Sequence, residues 1–244
     1  MARFFVSPSQ IKDEYIIIEG DDVKHISKVL RLKIGDKITI SDGQGTDYEC
    51  IIKNMEKIIT VEIISKDNST TEAQSKITLF QSLTKSDKMD YIIQKAVELG
   101  VYKIVPVSTE RTIVKIENEK KEHSKIIRWN KISEAAAKQS QRGIIPKVEP
   151  IISLVDAFKK AQEMDLKFIA YENEKNNSLK SYLTNCASKS IAVFIGPEGG
   201  FGENEISLAK EHDIIPVTLG RRILRTETAG LVVLSIMMYE MGEM

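Results

Sequence analysis

The chain has 244 residues, of which 42% are hydrophobic and 29% are charged, and its formal net charge at pH 7 is zero. This composition predicts a soluble globular protein and argues against binding nucleic acid through bulk charge. No apolar stretch approaches the roughly 18 residues of a membrane span, and the N-terminal residues hold no apolar run of signal-peptide length, so we expect a cytoplasmic protein with no membrane partner. Cys50 and Cys186 lie far apart without clustered histidines, and we expect buried or incidental thiols and no metal site.

The first 72 residues predict a small β-rich domain. Short runs of β-branched residues recur at the spacing of a barrel, separated by Gly, Asp and Asn turn signals. The candidate strands are residues 15–18, 37–40, 48–52 and 58–64. Residues 42–45, Asp-Gly-Gln-Gly, predict the clearest hairpin connection. The segment carries 10 Lys and Arg against 13 Asp and Glu, so any nucleic-acid contact requires local patches.

One helix is predicted among these strands, with Asp21 and Asp22 as its cap. Its apolar side is expected to consist of Ile26, Val29 and Leu30. Three basic residues at i, i+4 and i+7 share another side, which we call the basic face: Lys24, Lys28 and Arg31. A solvated helix surface explains the basic face without any ligand. His25 is expected to pack or cap and not to catalyse.

Beyond a Ser, Thr and Asn-rich linker at residues 66–76, strand and helix patterns alternate. We therefore place the domain boundary after residue 72, giving domains 1–72 and 73–244. The strands are predicted at residues 77–80, 103–107 and 166–170, and the helices at 86–99, 156–164 and 178–186. Alternation of this kind predicts parallel strands joined by crossover helices.

A long helix is predicted to end near Arg142. Its apolar stripe of Trp129, Ile132 and Ala136 is continued by Gln139. A polar residue that extends an apolar stripe to a helix end is a candidate site residue. A glutamine at an interface accounts for the pattern nearly as well.

Two glycine loops near the C-terminus each follow an apolar strand and lead into a helix. Residues 191–195 precede Gly196-Pro197-Glu198-Gly199-Gly200-Phe201-Gly202, and residues 214–219 precede Gly220-Arg221-Arg222-Ile223-Leu224-Arg225. Thr226 is expected to cap the apolar helix that follows. The order strand, glycine loop, helix therefore occurs twice. In α/β proteins, loops of this kind form small-molecule sites at the carboxyl edge of the sheet. Either loop alone is also explained as an ordinary turn between a strand and a helix.

Together the two loops, Gly196 to Phe201 and Leu219 to Ala229, resemble the paired cofactor motifs of the SPOUT methyltransferases. Within them the chain is most similar to the RsmE family, which methylates N3 of a uridine in 16S ribosomal RNA of the small subunit. Further segments resemble the same family, namely residues 25–36, 91–101, 109–112 and 134–142. One departure is Gly202, where the family is expected to carry Ser or Thr; this weakens helix capping.

The resemblance implies a fold and a set of partners. The expected fold is α/β, a SPOUT-type parallel sheet with a C-terminal trefoil knot, plus a small N-terminal β-barrel domain of the PUA-like class. The implied cofactor is S-adenosylmethionine, and the implied substrate is 16S rRNA, within the small ribosomal subunit. A homodimer is expected to complete the site.

The site residues follow from the same motifs and from the chemistry. Cofactor binding is assigned to Ile195, Gly196, Pro197, Glu198, Gly199, Gly200, Leu219, Gly220, Ile223, Leu224, Thr228 and Ala229. Uridine N3 must lose a proton, so Arg225 is predicted to stabilise the anion, and Glu198 and Glu227 are candidate bases. Helix N-terminal electrostatics explains either carboxylate equally well. RNA contact is assigned to Arg3, Lys24, Lys28, Arg31, Lys95, Gln139, Arg142 and Arg222.

Three other functions compete with this one. A nucleotide-binding enzyme would use residues 196–202 as a phosphate cradle, but neither GxxxxGK[ST] nor GxGxxG is present. A dimeric RNA-binding adaptor would lack cofactor affinity. A SPOUT methyltransferase that modifies another RNA nucleotide would share every motif.

Overall fold

The structure is a computed structural model, which describes residues 3–113, 118–183 and 190–244 apart from the Ser86 side chain. The chain divides into two compact units. Unit 1 comprises Met1–Glu72 and Ala137–Ile145, and unit 2 comprises Ala73–Ala136 and Pro146–Met244.

Unit 1 is built on a five-stranded sheet. Its strands are β1 (Arg3–Phe5), β2 (Tyr15–Ile18), β3 (Lys37–Ser41), β4 (Thr46–Met55) and β5 (Ile59–Asn68). They are ordered β1-β3-β4-β5-β2, with β1 parallel to β3 and the other pairs antiparallel. The four predicted strands are confirmed, and β1 is an addition. Register shifts at Glu49/Cys50 and Ile52/Asn54 bend the long hairpin, and among the described residues no ladder joins β1 to β2.

Alternating side chains of these strands form the core of unit 1. In β2 and β3 the residues Ile16, Ile18, Ile38 and Ile40 are fully buried, while the intervening ones face outward. Cys50 belongs to this core, and burial raises the pKa of its thiol to about 12. The expectation of a buried thiol is confirmed for Cys50, whereas Cys186 lies outside the described residues.

The helix predicted between β2 and β3 has a different geometry from the one expected. It consists of α1 (Asp21–Lys24) followed by a π-helical turn, His25–Val29, in which Leu30 N–H donates to the His25 carbonyl at 2.9 Å. Because a π turn holds more residues than an α turn, side chains after it are rotated around the helix and residues three apart no longer share one face. Ile26 is buried, but the predicted apolar side is wrong for Val29 and Leu30, whose exposed fractions are 68% and 39%. The cap is Gly20, and Asp21 and Asp22 lie in the first turn.

The predicted domain boundary misses a mid-chain segment, Ala137–Ile145, which packs with unit 1. The Ser41 hydroxyl donates to the Gly143 carbonyl at 2.9 Å. The Glu72 carboxylate accepts the N–H groups of Gly143 at 2.8 Å and Ile144 at 3.1 Å, and it pairs with the Arg142 guanidinium at 2.6 Å. Contacts between residues some 70 positions apart leave no periodic signal in the sequence.

Unit 2 contains a seven-stranded sheet in which every pair is parallel. Its strands are β6 (Lys76–Ser82), β7 (Lys103–Ser108), β8 (Lys147–Val148), β9 (Ile152–Ser153), β10 (Leu166–Ala170), β11 (Ser190–Ile195) and β12 (Ile215–Val217). The order is β12-β10-β11-β6-β7-β8, and β9 also pairs with β7. The predicted α/β class with parallel strands is therefore confirmed.

Helices cover this sheet. They are α2 (Ser86–Glu98), α3 (Glu119–Gln139), α4 (Leu154–Lys160), α5 (Leu179–Leu183), α6 (Glu203–Glu211) and α7 (Thr226–Glu240). The predicted helix 156–164 is α4 plus a short 3-10 turn, and the last part of the predicted helix 178–186 lies outside the described residues. On the sheet, the rings of Phe80 and Phe194 stack at 4.4 Å and Phe158 meets Phe194 edge-on at 5.1 Å. Within the ranges described, no helix is both long and apolar enough to cross a membrane.

Candidate active site

A pocket of about 390 Å³ opens at the carboxyl ends of three adjacent strands of unit 2. It is lined by Ala170 at the end of β10, Ile195 at the end of β11, and Thr218 directly after β12. Because the three strands are parallel neighbours, the loops that follow them converge on one edge of the sheet. The volume lies within the range of about 300–1,000 Å³ typical of small-molecule sites.

The loop after β11 is held in a tight turn that ends at the start of α6. The Gly200 N–H donates to the Pro197 carbonyl at 3.0 Å, and Gly200 has φ +67°, a conformation that glycine adopts without a Cβ penalty. Gly202 is the N-cap of α6, and its N–H donates to the buried Glu205 carboxylate at 2.8 Å. Glu205 also accepts the Glu110 N–H at 2.9 Å. The weak capping expected from glycine at position 202 is thus offset by Glu205.

Thr226 links the two glycine loops and does not cap α7. The N-cap is Arg225, so the predicted capping role of Thr226 is wrong. The Thr226 hydroxyl instead donates to the Gly196 carbonyl at 2.6 Å and accepts from the buried Gln81 amide at 3.0 Å. These two partners use the only proton of the hydroxyl and one of its two lone pairs. Sequence reasoning missed Gln81, whose signal is a polar residue inside the apolar strand β6.

A cation from α2 bridges the two candidate bases. The Lys88 ammonium lies 3.1 Å from a Glu198 oxygen and 3.4 Å from a Glu227 oxygen. The hydrogen bond to Glu198 raises the pKa of Lys88 above its usual value, against a smaller opposing effect of burial. Lys88 therefore stays charged at neutral pH, and the cluster of one cation and two carboxylates has a net charge of −1. Lys88 was not predicted from the sequence. It lies on α2, where the spacing of the apolar residues predicts the helix but does not indicate a role for its polar residues.

The loop after β12 brings positive charge to the pocket. Arg221, Arg222 and Arg225 are exposed and line it. Between them Ile223 is 84% exposed, which is the highest value among the large apolar side chains described. A guanidinium that never deprotonates is suited to a substrate on which negative charge develops.

Most residues assigned to cofactor binding lie around this pocket. Ten of the twelve line it: Ile195, Gly196, Pro197, Glu198, Gly200, Leu219, Gly220, Ile223, Leu224 and Ala229. Gly199 and Thr228 do not; the Gly199 carbonyl accepts the Arg111 guanidinium at 2.9 Å instead. Lining residues outside the predicted set include Tyr171 and Glu172, which follow β10. These two residues could have been predicted only from the position of β10 between the two strands that carry the motifs. A single sequence does not reveal the order of strands in a sheet.

The residues assigned to RNA contact differ in their exposure and in whether another side chain already pairs with them. Lys24, Lys28, Arg31 and Gln139 are exposed, and Arg222 lines the pocket. Lys95 is paired with Glu98 at 2.9 Å on the same helix. RNA contact by each of them stays a prediction.

Arg3 and Arg142 are engaged inside unit 1. The Arg3 guanidinium bonds Asp47 at 2.7 Å and the Gln141 carbonyl at 2.6 Å, and its side chain is 12% exposed. Arg142 is 5% exposed and paired with Glu72. Contact of either guanidinium with a phosphate would require a part-buried ion pair to open, which is costly when it leaves the partner carboxylate unpaired. These two assignments therefore find no support in the geometry.

A parallel α/β sheet with a pocket at its carboxyl edge, together with a small β unit, defines a two-unit α/β protein with a small-molecule site. Residues 71–238 match the family model of an RNA methyltransferase domain, and residues 18–64 match that of an RNA methyltransferase PUA domain. The chain belongs to the ribosomal RNA small subunit methyltransferase E family.

Relatives support this assignment over nearly the whole chain. The Bacillus subtilis ribosomal RNA small subunit methyltransferase E is 33% identical, covering 98% of this chain and 97% of the relative. The structure of the Neisseria gonorrhoeae enzyme of that name, bound to S-adenosyl methionine, is 35% identical with a TM-score of 0.86, covering 98% and 97% of the two chains. A putative methyltransferase from Legionella pneumophila, solved with the cofactor SAM, is 31% identical with a TM-score of 0.84, at the same coverage.

Proposed function

We propose that this protein transfers a methyl group from S-adenosylmethionine to N3 of a uridine in 16S rRNA. The observation that carries the proposal is the pocket at the ends of β10, β11 and β12, on a chain that is similar over 98% of its length to a relative solved with S-adenosyl methionine. The competing RNA-binding adaptor would have no use for this pocket.

The residues around the pocket fit the cofactor. A Cβ at position 196 would stand 3.2 Å from the Phe201 ring, so glycine at this position lets the loop pack closely against that ring. Apolar side chains of Ile195, Leu219 and Leu224 suit an adenine ring, and backbone groups of the two loops would hold it. The cofactor, once bound, supplies an electrophilic methyl group, so much of the rate enhancement would come from alignment in a closed pocket.

In this proposal, residues of the chain accept the proton of the substrate N3 and stabilise the negative charge that its loss creates. The substrate N3 carries a proton that must leave, and Arg225, at the pocket wall, is placed to stabilise the resulting anion. Glu198 and Glu227 are the candidate proton acceptors, and the Lys88 ammonium lies 3.1 Å from a Glu198 oxygen and 3.4 Å from a Glu227 oxygen.

A homodimer is part of the proposal. On α7, Ile236 and Tyr239 are 38% and 73% exposed on the side opposite to the buried residues Val233 and Met237. An apolar stripe of this kind on a well-packed helix favours a self-complementary interface. The trefoil knot, the cytoplasmic location and the small-subunit context stay predictions from the resemblance.

Three measurements test the proposal. Calorimetry should detect binding of S-adenosylmethionine, and its absence would favour the adaptor. Modified bases should then be mapped in 16S rRNA from cells with and without the gene, and the lost modification should be an N3-methyluridine. Loss of a different modified base would retain the methyltransferase and reject the uridine assignment. Purified small subunits and free 16S rRNA, offered separately, would identify which of the two is methylated.

A further inference from the structure

The loop after β10 contributes a carboxylate to the pocket that neither glycine motif contains. β10 pairs with β11 on one side and β12 on the other, so its C-terminal loop enters the pocket between the two motif loops. Ala170, Tyr171 and Glu172 all line the pocket from this loop. The resemblance drawn from the two loops assigns no role to them.

The Glu172 carboxylate lies directly over the backbone of the first glycine loop. A Cβ built on Gly200 would stand 2.8 Å from one Glu172 oxygen, closer than real Cβ contacts, and 3.1 Å from the other, which is a tight contact. The absence of a side chain at position 200 is therefore what lets both carboxylate oxygens reach this part of the pocket.

Both oxygens of Glu172 are available to a ligand. Within the part of the chain that the structure describes, Glu172 makes no hydrogen bond and no ion pair. Two residues further on, one oxygen of Glu174 accepts the N–H groups of Lys175, Asn176 and Asn177, so that carboxylate stabilises the loop itself. Glu198, the other carboxylate that lines the pocket, is occupied by Lys88. Of the two carboxylates in the described lining, Glu172 thus has both oxygens free, whereas Lys88 holds one oxygen of Glu198.

An ionised carboxylate accepts hydrogen bonds and donates none, and its two oxygens can accept two donors side by side. A ribose with free 2′- and 3′-hydroxyls presents two such neutral donors on adjacent carbons. An acidic side chain near the carboxyl ends of parallel strands binds ribose hydroxyls in other α/β nucleotide sites. The cationic groups of the cofactor already have a separate counter-charge in the Lys88, Glu198 and Glu227 cluster, whose net charge is −1.

We propose that Glu172 binds the ribose hydroxyls of the S-adenosyl cofactor and selects the ribonucleoside. This inference rests on the proposed function, because it requires that the pocket take an S-adenosyl compound. Gly200 and Glu172 then act together: the missing side chain at Gly200, in the loop after β11, leaves space for the Glu172 carboxylate, in the loop after β10.

The test is calorimetry with S-adenosylhomocysteine and with its 2′-deoxy and 3′-deoxy analogues. Because hydrogen bonds to a charged acceptor are strong, the wild-type protein should bind each deoxy analogue about 10- to 100-fold more weakly. Glu172→Gln should bind S-adenosylhomocysteine at least about 10-fold more weakly and should discriminate little against the deoxy analogues. Glu203→Gln removes an exposed carboxylate outside the pocket and serves as the matched control, with unchanged affinities.

The outcomes separate the two claims. If the wild-type protein binds no S-adenosylhomocysteine, the proposed function fails. If it binds but Glu172→Gln keeps full discrimination, the role of Glu172 is rejected. Equal loss for all three ligands in Glu172→Gln would also reject it, because the carboxylate would then act through its charge on the cofactor's cationic groups. Thermal unfolding of Glu172→Gln without ligand, matching the wild type, would show that the fold is intact.

Discussion

Single polar side chains connect the elements around the pocket. The Gln81 amide on β6, the Thr226 hydroxyl on α7 and the Gly196 carbonyl form a continuous hydrogen-bonded chain. Lys88 adds a second link, from α2 to both loops, through Glu198 and Glu227. Buried polar groups that satisfy one another hold backbone more rigidly than apolar contacts do, and a rigid pocket loses less free energy on binding.

At Arg225, removal of the guanidinium should affect the chemical step. Arg225→Ala should lower the single-turnover methylation rate by about 10²-fold or more, the loss typical of one preorganised group at developing negative charge. Its affinities for cofactor, by calorimetry, and for RNA, by filter binding, should stay near those of the wild type. Lys131→Ala removes an exposed cation of unit 2 that does not line the pocket, and it is the control. A rate for Arg225→Ala equal to that of the control would place anion stabilisation elsewhere.

At Lys88, removal of the charge should change a pH profile. The pKa of Lys88 is raised, so its ion pairs persist at neutral pH and are lost only as the pH rises through that raised value. In Lys88→Met, two partly buried carboxylates lose their cation, and the loss of a counter-charge makes a carboxylate less favourable relative to its neutral form. Cofactor affinity should then fall as the pH is lowered from 8 to 5.5, by calorimetry, while the wild type stays nearly flat.

Lys85→Met removes an exposed cation at the start of the same helix and is the control for this profile. A flat profile in Lys88→Met would mean that the ion pairs do not keep the carboxylates ionised.

At the level of elements, the π-helical turn decides what the basic face can do. Lys24, Lys28 and Arg31 remain exposed, but Arg31 lies beyond the turn with φ +53°. A positive φ outside glycine is uncommon and carries a conformational cost. Exposed Val29 and Leu30 lie beside these cations, so the segment presents charge and apolar surface together.

If the basic face binds phosphates, charge removal should change the salt dependence of RNA binding. The variant with all three residues replaced by alanine should bind RNA more weakly. In a plot of log affinity against log salt concentration, its slope should be smaller in magnitude by about 0.7–0.9 for each phosphate that is no longer neutralised. Cofactor affinity should not change. The exposed residues Lys12, Lys37 and Lys57, replaced together, give a control with the same loss of charge in unit 1. An unchanged slope in the first variant would show that the basic face is merely solvated.

The elements were largely predictable because their signals are local. Strand alternation in β2 and β3, and the apolar run of β11 before its glycine loop, depend on residues within one segment. The wide turn after Lys24 was missed because a π turn follows no apolar period of its own. At the pocket, both motif loops were found, but Lys88, Gln81 and Glu172 were not. Each of them reaches the site from an element distant in sequence, through strand order and packing.

For the whole molecule, disruption of the outer side of α7 should separate the proposed dimer. Tyr239→Glu combined with Ile236→Glu places two charges on an exposed apolar stripe, where burial against a second copy would be unfavourable. Light scattering should report a monomer, thermal unfolding should stay cooperative, and methylation should be lost. Glu211→Lys on α6 changes charge at an exposed position elsewhere and should leave a dimer. An active monomer at assay concentration would overturn the dimer requirement.

The discontinuity of unit 1 in sequence has a consequence for its biosynthesis. All five strands of its sheet precede residue 72, yet the Glu72 carboxylate and the Ser41 hydroxyl both form hydrogen bonds to Ala137–Ile145. At about 5–20 residues per second, a ribosome needs roughly 4–15 s to add the chain between these points. For that interval the nascent sheet lacks its last segment. Ribosome-bound chains stalled before Ala137 emerges should be cut in unit 1 faster by protease than chains stalled after Ile145 has emerged. The enzyme's first domain would thus be completed while its second is being made.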